Sequence, residues 1–129
     1  MATEEIPKRY ALRYSPRADR DLIQLVVDYA DFTEDAFKAV QLRDGIRAKA
    51  ATLVENPEAN QIDEHVAVLM GFPVRHKLYR GTRKSRVAYY IFYRITEDDD
   101  GPRVTLMHIR HAARAPLTKA EAREILAQQ

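Results

Sequence analysis

The stretch RHKLYRGTRKSRVAYYIFYRITEDDDGPRVTLMHIRHAAR, residues 75–114, decides the fold of this chain. Apolar and polar side chains alternate along three parts of it, the period of a β-strand with one buried face. The acids at 97–100 precede Gly101 and Pro102 and predict a turn, and a second turn is predicted around 81–85. The stretch therefore predicts a meander of three strands, at about 74–79, 86–95 and 103–111. Tyr89, Ile91 and Tyr93 fall on one face of the central strand and are interpreted as core residues.

Charge is distributed unevenly along the chain. Residues 71–114 carry ten Lys or Arg against four acids, whereas the remainder carries eleven against fifteen, so the net charge of +2 conceals a polarised molecule. A basic half predicts an anionic partner, with nucleic acid as the first candidate. A solvated charged surface is the alternative interpretation.

Before the meander the sequence predicts a short strand at 9–14 and two helices. Ser15 and Pro16 give a cap residue followed by proline at the first helical position. Thr33 is predicted to cap the second helix, which Asn56 and Pro57 end. Because about two residues join the helices, they should form an antiparallel hairpin.

The remaining segments complete an α+β prediction. Residues 57–73 are predicted to be a loop with a possible short strand at 65–69, and the capping box from Thr118 to Glu121 predicts a last helix over 118–127. The expected fold is an antiparallel sheet packed against an N-terminal helical hairpin, with the helices on one face. We expect a single domain over 1–129, with its core at about 9–117.

Composition narrows the functional class. The chain has no cysteine, and neither a signal-like N-terminus nor a membrane-spanning apolar run is evident, so a cytoplasmic protein without membrane association is expected. The acids before Gly101 do not follow the full spacing of a calcium loop. No metal and no cofactor is therefore expected.

Several short motifs, taken in order, resemble the RelE/ParE superfamily of type II toxins. They are Y-x-L-x-Y-S-P-x-A-x-x-D-L at 10–22, L-x-x-N-P at 53–57, the pair Arg75 and Lys77, Y-x-x-x-Y-R-I at 89–95 and H-I-R-H-x-x-R at 108–114. The resemblance implies a compact sheet with a concave face and a cognate antitoxin as partner. The antitoxin is expected to cover Arg75, Lys77 or Arg114 with an acidic and apolar segment.

The resemblance implies two toxic mechanisms. RelE-like members are RNA-binding endoribonucleases, or mRNA interferases, that cleave mRNA on the ribosome, and this is the function predicted for the chain. ParE-like members inhibit DNA gyrase, which is the alternative. A diverged, non-catalytic binding module is the third possibility that the residues leave open.

The ribonuclease interpretation assigns roles to basic, aromatic and histidine side chains, which can bind phosphate and transfer protons. The catalytic candidates are Arg75, Lys77, Arg86, His111 and Arg114. The substrate-binding candidates are Tyr79, Tyr90, Arg94 and Arg110, of which Arg110 could instead form an ion pair. Arg86, Tyr90 and Arg94 are expected to line the same face of the sheet as Arg75 and Lys77.

Two positions depart from the ribonuclease pattern. RelE-like enzymes carry an arginine directly after the tyrosine of the central strand, and this chain has Tyr90 there. Several ribonuclease members also carry a tyrosine after the last arginine, whereas Arg114 is followed by Ala115. The long helical hairpin is closer to ParE-like proteins, so the mechanism stays open at the level of sequence.

Overall fold

The computed structural model describes residues 9–81 and 87–129. Its elements are β1 (Ala11–Tyr14), α1 (Pro16–Thr33), α2 (Ala36–Thr52), α3 (Glu64–Met70), β2 (Arg75–Arg80), β3 (Ala88–Asp98), β4 (Gly101–His111) and α4 (Lys119–Ala127), with a 3-10 turn at Pro57–Ala59. The α+β class, the N-terminal helical hairpin and the short C-terminal helix are confirmed. The predicted turn at 82–85 and the predicted strand start at Arg86 lie outside the described residues.

Local capping fixes where the helices begin. The Ser15 hydroxyl accepts a hydrogen bond from the backbone N–H of Ala18 at 3.0 Å, and Pro16 follows at the first helical position, as predicted. The capping box between Thr118 and Glu121 is also present. The prediction of Thr33 as the cap of α2 is wrong, because Thr33 belongs to α1 and the Asp35 carboxylate caps α2.

The segment before the meander is a helix and not the short strand that was expected at 65–69. In α3 the Asp63 carboxylate accepts from the Val66 N–H at 3.0 Å, and Gly71 ends the helix with a φ of 86°. Glycine is favoured at this position because residues with a side chain are strained at a positive φ. The backbone N–H of Asp63 also donates to the Val74 carbonyl at 2.8 Å, which ties α3 to the start of β2.

The four strands form one sheet in the order β1-β4-β3-β2. β2, β3 and β4 pair antiparallel as the predicted meander, but β1 pairs parallel with β4, so the sheet is mixed. Parallel strands need a long connection between them. The helices α1 and α2 form part of the long segment that separates β1 from β4. A bulge between Phe92 and Tyr93 places Met107 as an extra residue in β4.

Helices cover both faces of the sheet, which corrects the prediction of helices on one face. On the hairpin face, Tyr89, Ile91 and Tyr93 are buried against α1 and α2 side chains, which confirms their interpretation as core residues. On the opposite face, α3 and α4 bury Phe92 and Met107 in a second cluster. The hairpin therefore packs in only one of the two core clusters. Helix α3, which lies where a loop was predicted, contributes to the other.

Candidate functional site

The predicted basic pair on β2 lies on the hairpin face of the sheet. In the antiparallel register, Arg75 stands opposite Tyr93 and Lys77 opposite Ile91, and directly opposed residues share a face. The Arg75 guanidinium is held by the backbone carbonyls of Glu58 and Asn60. Arg75 therefore fixes the loop beside β2, whereas Lys77 has no ion pair within residues 9–81 and 87–129.

Tyr90 and Arg94 lie on the opposite face from Arg75 and Lys77, so the prediction that these four share a face is wrong. Tyr90 stands opposite Leu78 and contributes to the cluster beneath α3 and α4. The Arg94 guanidinium lies 4.0 Å from the centre of the Phe72 ring, in a cation–π contact. The pattern along each strand does not determine the register between β2 and β3. A shift of one residue in that register moves every side chain of a strand to the other face. Arg86 lies outside the described residues.

Arg110 and Arg114 share one carboxylate on α4. The Arg110 guanidinium, whose side chain is 5% exposed, donates to Glu121 at 2.8 Å and to the Ala115 carbonyl at 2.6 Å. Arg114 donates to the same carboxylate at 3.4 Å and is largely exposed. Hydrogen bonding from Arg110 lowers the pKa of Glu121 to about 2. Arg110 thus forms the ion pair that the sequence left as one of two possibilities.

Tyr79, Tyr89 and His111 form a row across three strands on the hairpin face. Tyr89 is paired with Tyr79 on one side and with His111 on the other, and its ring meets the imidazole edge-on at 5.2 Å. The Nδ1 atom of His111 accepts a hydrogen bond from the Ala113 N–H at 3.0 Å. This row brings two predicted site residues to the same end of the sheet.

A cleft of about 400 Å³, which we name the hairpin groove, lies between α1 and this end of the sheet. Its lining residues are Asp21, Gln24, Leu25, Asp28, Tyr29, Phe32, Val87, Tyr89, Ile109, Arg110, His111 and Arg114. A neighbouring cleft of about 430 Å³ shares Tyr29 and Val87 with it and extends toward α2. Together they form a long depression with aromatic walls.

The two walls of the hairpin groove carry opposite charge. Asp21 and Asp28 contribute carboxylates from α1, and the sheet end contributes the guanidinium of Arg114. Burial, and to a smaller extent Tyr29 and Asp28, raises the pKa of Tyr89, so its hydroxyl keeps its proton and can act as a hydrogen-bond donor. An amphipathic protein segment with both charge signs would match these walls.

Large apolar side chains are exposed on the helical hairpin, and one of them, Phe32, lines the hairpin groove. Phe32 is 85% exposed and Phe37 is 70% exposed, on either side of the turn between α1 and α2. Ile23, Val27 and Val40 on the same hairpin are also exposed. An exposed aromatic side chain at a groove, such as Phe32, is typical of a protein-binding surface.

Asp21, which lines the groove, ties helix α1 to strand β4. Its carboxylate accepts hydrogen bonds from Nε of Arg17 at 2.9 Å, from the Ile109 N–H at 3.1 Å and from Nδ1 of His108. β1 ends at Tyr14, so β4 would otherwise leave the Ile109 N–H unpaired beyond that point. Asp21, the aspartate of the motif at 10–22, therefore has a structural role.

Sequence reasoning missed the pair formed by Asp63 and His76. Nδ1 of His76 lies 3.0 Å from the Asp63 carboxylate, and both side chains are 21% exposed. The pair was missed because residues 57–73 were predicted to be a loop. The sequence does carry a signal for this helix. Asp63 is a typical N-cap residue, and Gly71, eight residues later, is a typical residue at a helix end.

These features define a small α+β protein in which a helical hairpin packs on a mixed four-stranded sheet. An open groove of about 400 Å³ lies between the two. Residues 12–116 match the family described as the ParE toxin of type II toxin-antitoxin system, parDE. The chain belongs to this family, within the RelE/ParE superfamily. Comparison with curated proteins gives no match.

Membership makes the protein the toxin of a type II toxin-antitoxin pair, with an antitoxin as its partner. In the part of the chain that the structure describes, no helix is both long and apolar enough to cross a bilayer. Within the same ranges, no three His, Asp or Glu side chains are grouped in a way that could hold a metal ion.

Proposed function

We propose that this toxin acts by binding DNA gyrase, in the manner of ParE-like toxins, and not by cutting mRNA. The observation that supports the proposal is the distribution of the described cations over both faces of the sheet. Arg75 and Lys77 lie on the hairpin face, whereas Arg94 and Arg110 lie on the other. Cleavage of RNA without a metal needs its cations and its proton-transfer group around one phosphate.

Internal contacts reinforce this proposal. Arg75 is bound by loop carbonyls, Arg94 covers Phe72, and Arg110 is neutralised by Glu121. A guanidinium that is held in this way would have to leave its partners before it could stabilise a phosphorane-like transition state. The hairpin groove, with the exposed Phe32 on its wall, is in contrast open to a protein surface.

Ribosome-dependent mRNA cleavage is the second candidate function. It is favoured by one observation, namely that Lys77, Tyr79 and His111 share the hairpin face. A lysine, a tyrosine and a histidine on one face are chemically sufficient to bind phosphate and to transfer a proton. The two candidates therefore make different predictions for the same side chains.

The antitoxin is proposed to cover the hairpin groove with an amphipathic segment whose acidic side chains face Arg114. The support is the combination of the exposed Phe32 and Phe37 with the exposed Arg114 at the other wall. A complex that left Arg75, Lys77 and Arg114 all exposed while toxicity was blocked would contradict this placement. Solvent accessibility in the purified complex, measured by hydrogen exchange, is the appropriate readout.

The two functions can be separated with one purified toxin in two assays. The toxin is added to gyrase with supercoiled DNA, and in parallel to a reconstituted translation reaction whose mRNA is mapped for cuts. We expect gyrase inhibition with intact mRNA. The variant Lys77→Ala should inhibit gyrase within about twofold of the unmodified chain, because Lys77 does not line the hairpin groove.

Lys119→Ala, an exposed lysine on α4, serves as the matched control for loss of one positive charge. Cuts within codons that disappear in Lys77→Ala and persist in the control would overturn the gyrase proposal and establish the second candidate.

A further inference from the structure

A separate cleft of about 380 Å³ lies at the outer edge of β2, facing the loop at 59–61. Its lining residues are Ala59, Asn60, Gln61, His76, Lys77 and Leu78. It shares no residue with the hairpin groove. Because β2 is an edge strand, side chains from both of its faces can reach the same cleft.

The imidazole of His76 is held in one orientation. Since the Asp63 carboxylate can only accept, Nδ1 of His76 must donate to it, across 3.0 Å. Asp63 is itself fixed by its cap on α3, and the His76 ring contacts Tyr90 at a centroid distance of 4.9 Å. These contacts leave Nε2 as the ring nitrogen available to a ligand.

The backbone of β2 adds a donor to the cleft. The Val74 carbonyl points away from β3, because it accepts from the Asp63 N–H beyond the edge of the sheet. Backbone direction alternates with a period of two in an antiparallel strand, so the N–H of Leu78 points to the same outer side. It lies beyond the short bridge between Ile62 and Arg75 that covers the start of this edge.

We propose that this cleft binds a phosphate group, with the Lys77 ammonium and the Leu78 N–H as donors and with Nε2 of His76 as a further donor when the ring carries a proton on both nitrogens. The lining of the cleft offers two side chains that can carry positive charge and no carboxylate, which favours an anion over a cation. A phosphate has enough acceptor oxygens to use donors that approach from different directions. The site goes beyond the gyrase proposal, since neither gyrase binding nor the antitoxin requires it.

The phosphate could belong to a nucleic-acid backbone or to a free phosphate ester, and one titration series separates these sources. The full chain, labelled with nitrogen-15, is titrated with inorganic phosphate, thymidine monophosphate and a thymidine oligonucleotide while the NMR signals are followed. We expect saturable shifts of the Leu78 amide and of the His76 ring. Tighter binding of the oligonucleotide than of the monophosphate identifies a nucleic-acid backbone, and equal binding identifies a free ester.

Variants test the assignment of the donors. Lys77→Ala should weaken phosphate binding about tenfold, the effect of losing one charge-assisted contact, while Lys119→Ala leaves it unchanged. His76→Asn provides the second test, because it removes Nε2, and its amide spectrum reports whether the fold is intact. The proposal is overturned if phosphate leaves the Leu78 and His76 signals unmoved, or if Lys119→Ala weakens binding as much as Lys77→Ala.

Discussion

Replacing Glu121 by glutamine should destabilise the toxin, because it removes the only carboxylate that Arg110 contacts within the described residues. The Arg110 guanidinium is 5% exposed and lies 2.8 Å from Glu121, while Arg114 approaches the same carboxylate at 3.4 Å. Removing one partner of a buried ion pair leaves a charge without compensation. The glutamine side chain keeps an acceptor oxygen but not the charge, so the fold should persist with a lower free energy of unfolding.

The pKa of Glu121 sets the size and the pH range of the effect. A fall from the ordinary value of 4.5 to about 2 would correspond to roughly 3 kcal/mol, which partial exposure of the carboxylate reduces to about 2 kcal/mol. The folded state holds this proton less tightly than the unfolded state does. The stabilisation is therefore complete above pH 4.5 and is lost as the pH falls through 2.

Urea unfolding followed by circular dichroism at pH 7 and at pH 2.5 measures both quantities. We expect Glu121→Gln to lower the free energy of unfolding by about 2 kcal/mol at pH 7 and by much less at pH 2.5. Glu124→Gln, on the same helix but 70% exposed, is the matched control and should change little at either pH. A difference between Glu121→Gln and the unmodified chain that is equal at both pH values would refute the reasoning.

Two further substitutions test contacts between the hairpin and the sheet. A Cβ added at Gly45 would overlap the Tyr79 hydroxyl, so Gly45→Ala should cost about 1 kcal/mol in thermal unfolding despite the higher helix propensity of alanine. In a Tyr79→Ala background the same change should instead stabilise by up to about 1 kcal/mol, and no change of sign would show that the two side chains do not interact. Asp21→Asn should cost about 3 kcal/mol and speed hydrogen exchange at the Ile109 amide, whereas unchanged protection of that amide would contradict the role given to the carboxylate.

Features that depend on neighbours along the chain could be predicted from sequence. The Ser15 cap, the capping box at Thr118 and the alternation through Tyr89 and Tyr93 were all correct. Each is decided within a few residues, by a hydrogen bond to a nearby N–H or by the period of a strand. Helix α3 was missed because seven residues give too little periodicity to distinguish a helix from a strand.

The candidate site could be predicted only in part. His111 was placed at the end of β4, but its row with Tyr79 and Tyr89 depends on the pairing of three strands. The walls that α1 contributes to the hairpin groove, including Asp28 and Tyr29, were not foreseen. Asp28 and Tyr29 belong to no sequence motif. They line the groove only because α1 packs across the end of the sheet.

By itself, the sequence determined the class of this toxin, its hairpin, its meander and the residues that form the core of the central strand. These follow from local hydrogen bonding and from the burial of apolar side chains at a fixed period. Only the tertiary structure decided which face each cation occupies, that β1 pairs parallel with β4, and that Asp63 and His76 meet at the edge of β2. Register between strands has no local signal, because a shift of one residue changes every neighbour while leaving the pattern along each strand unchanged.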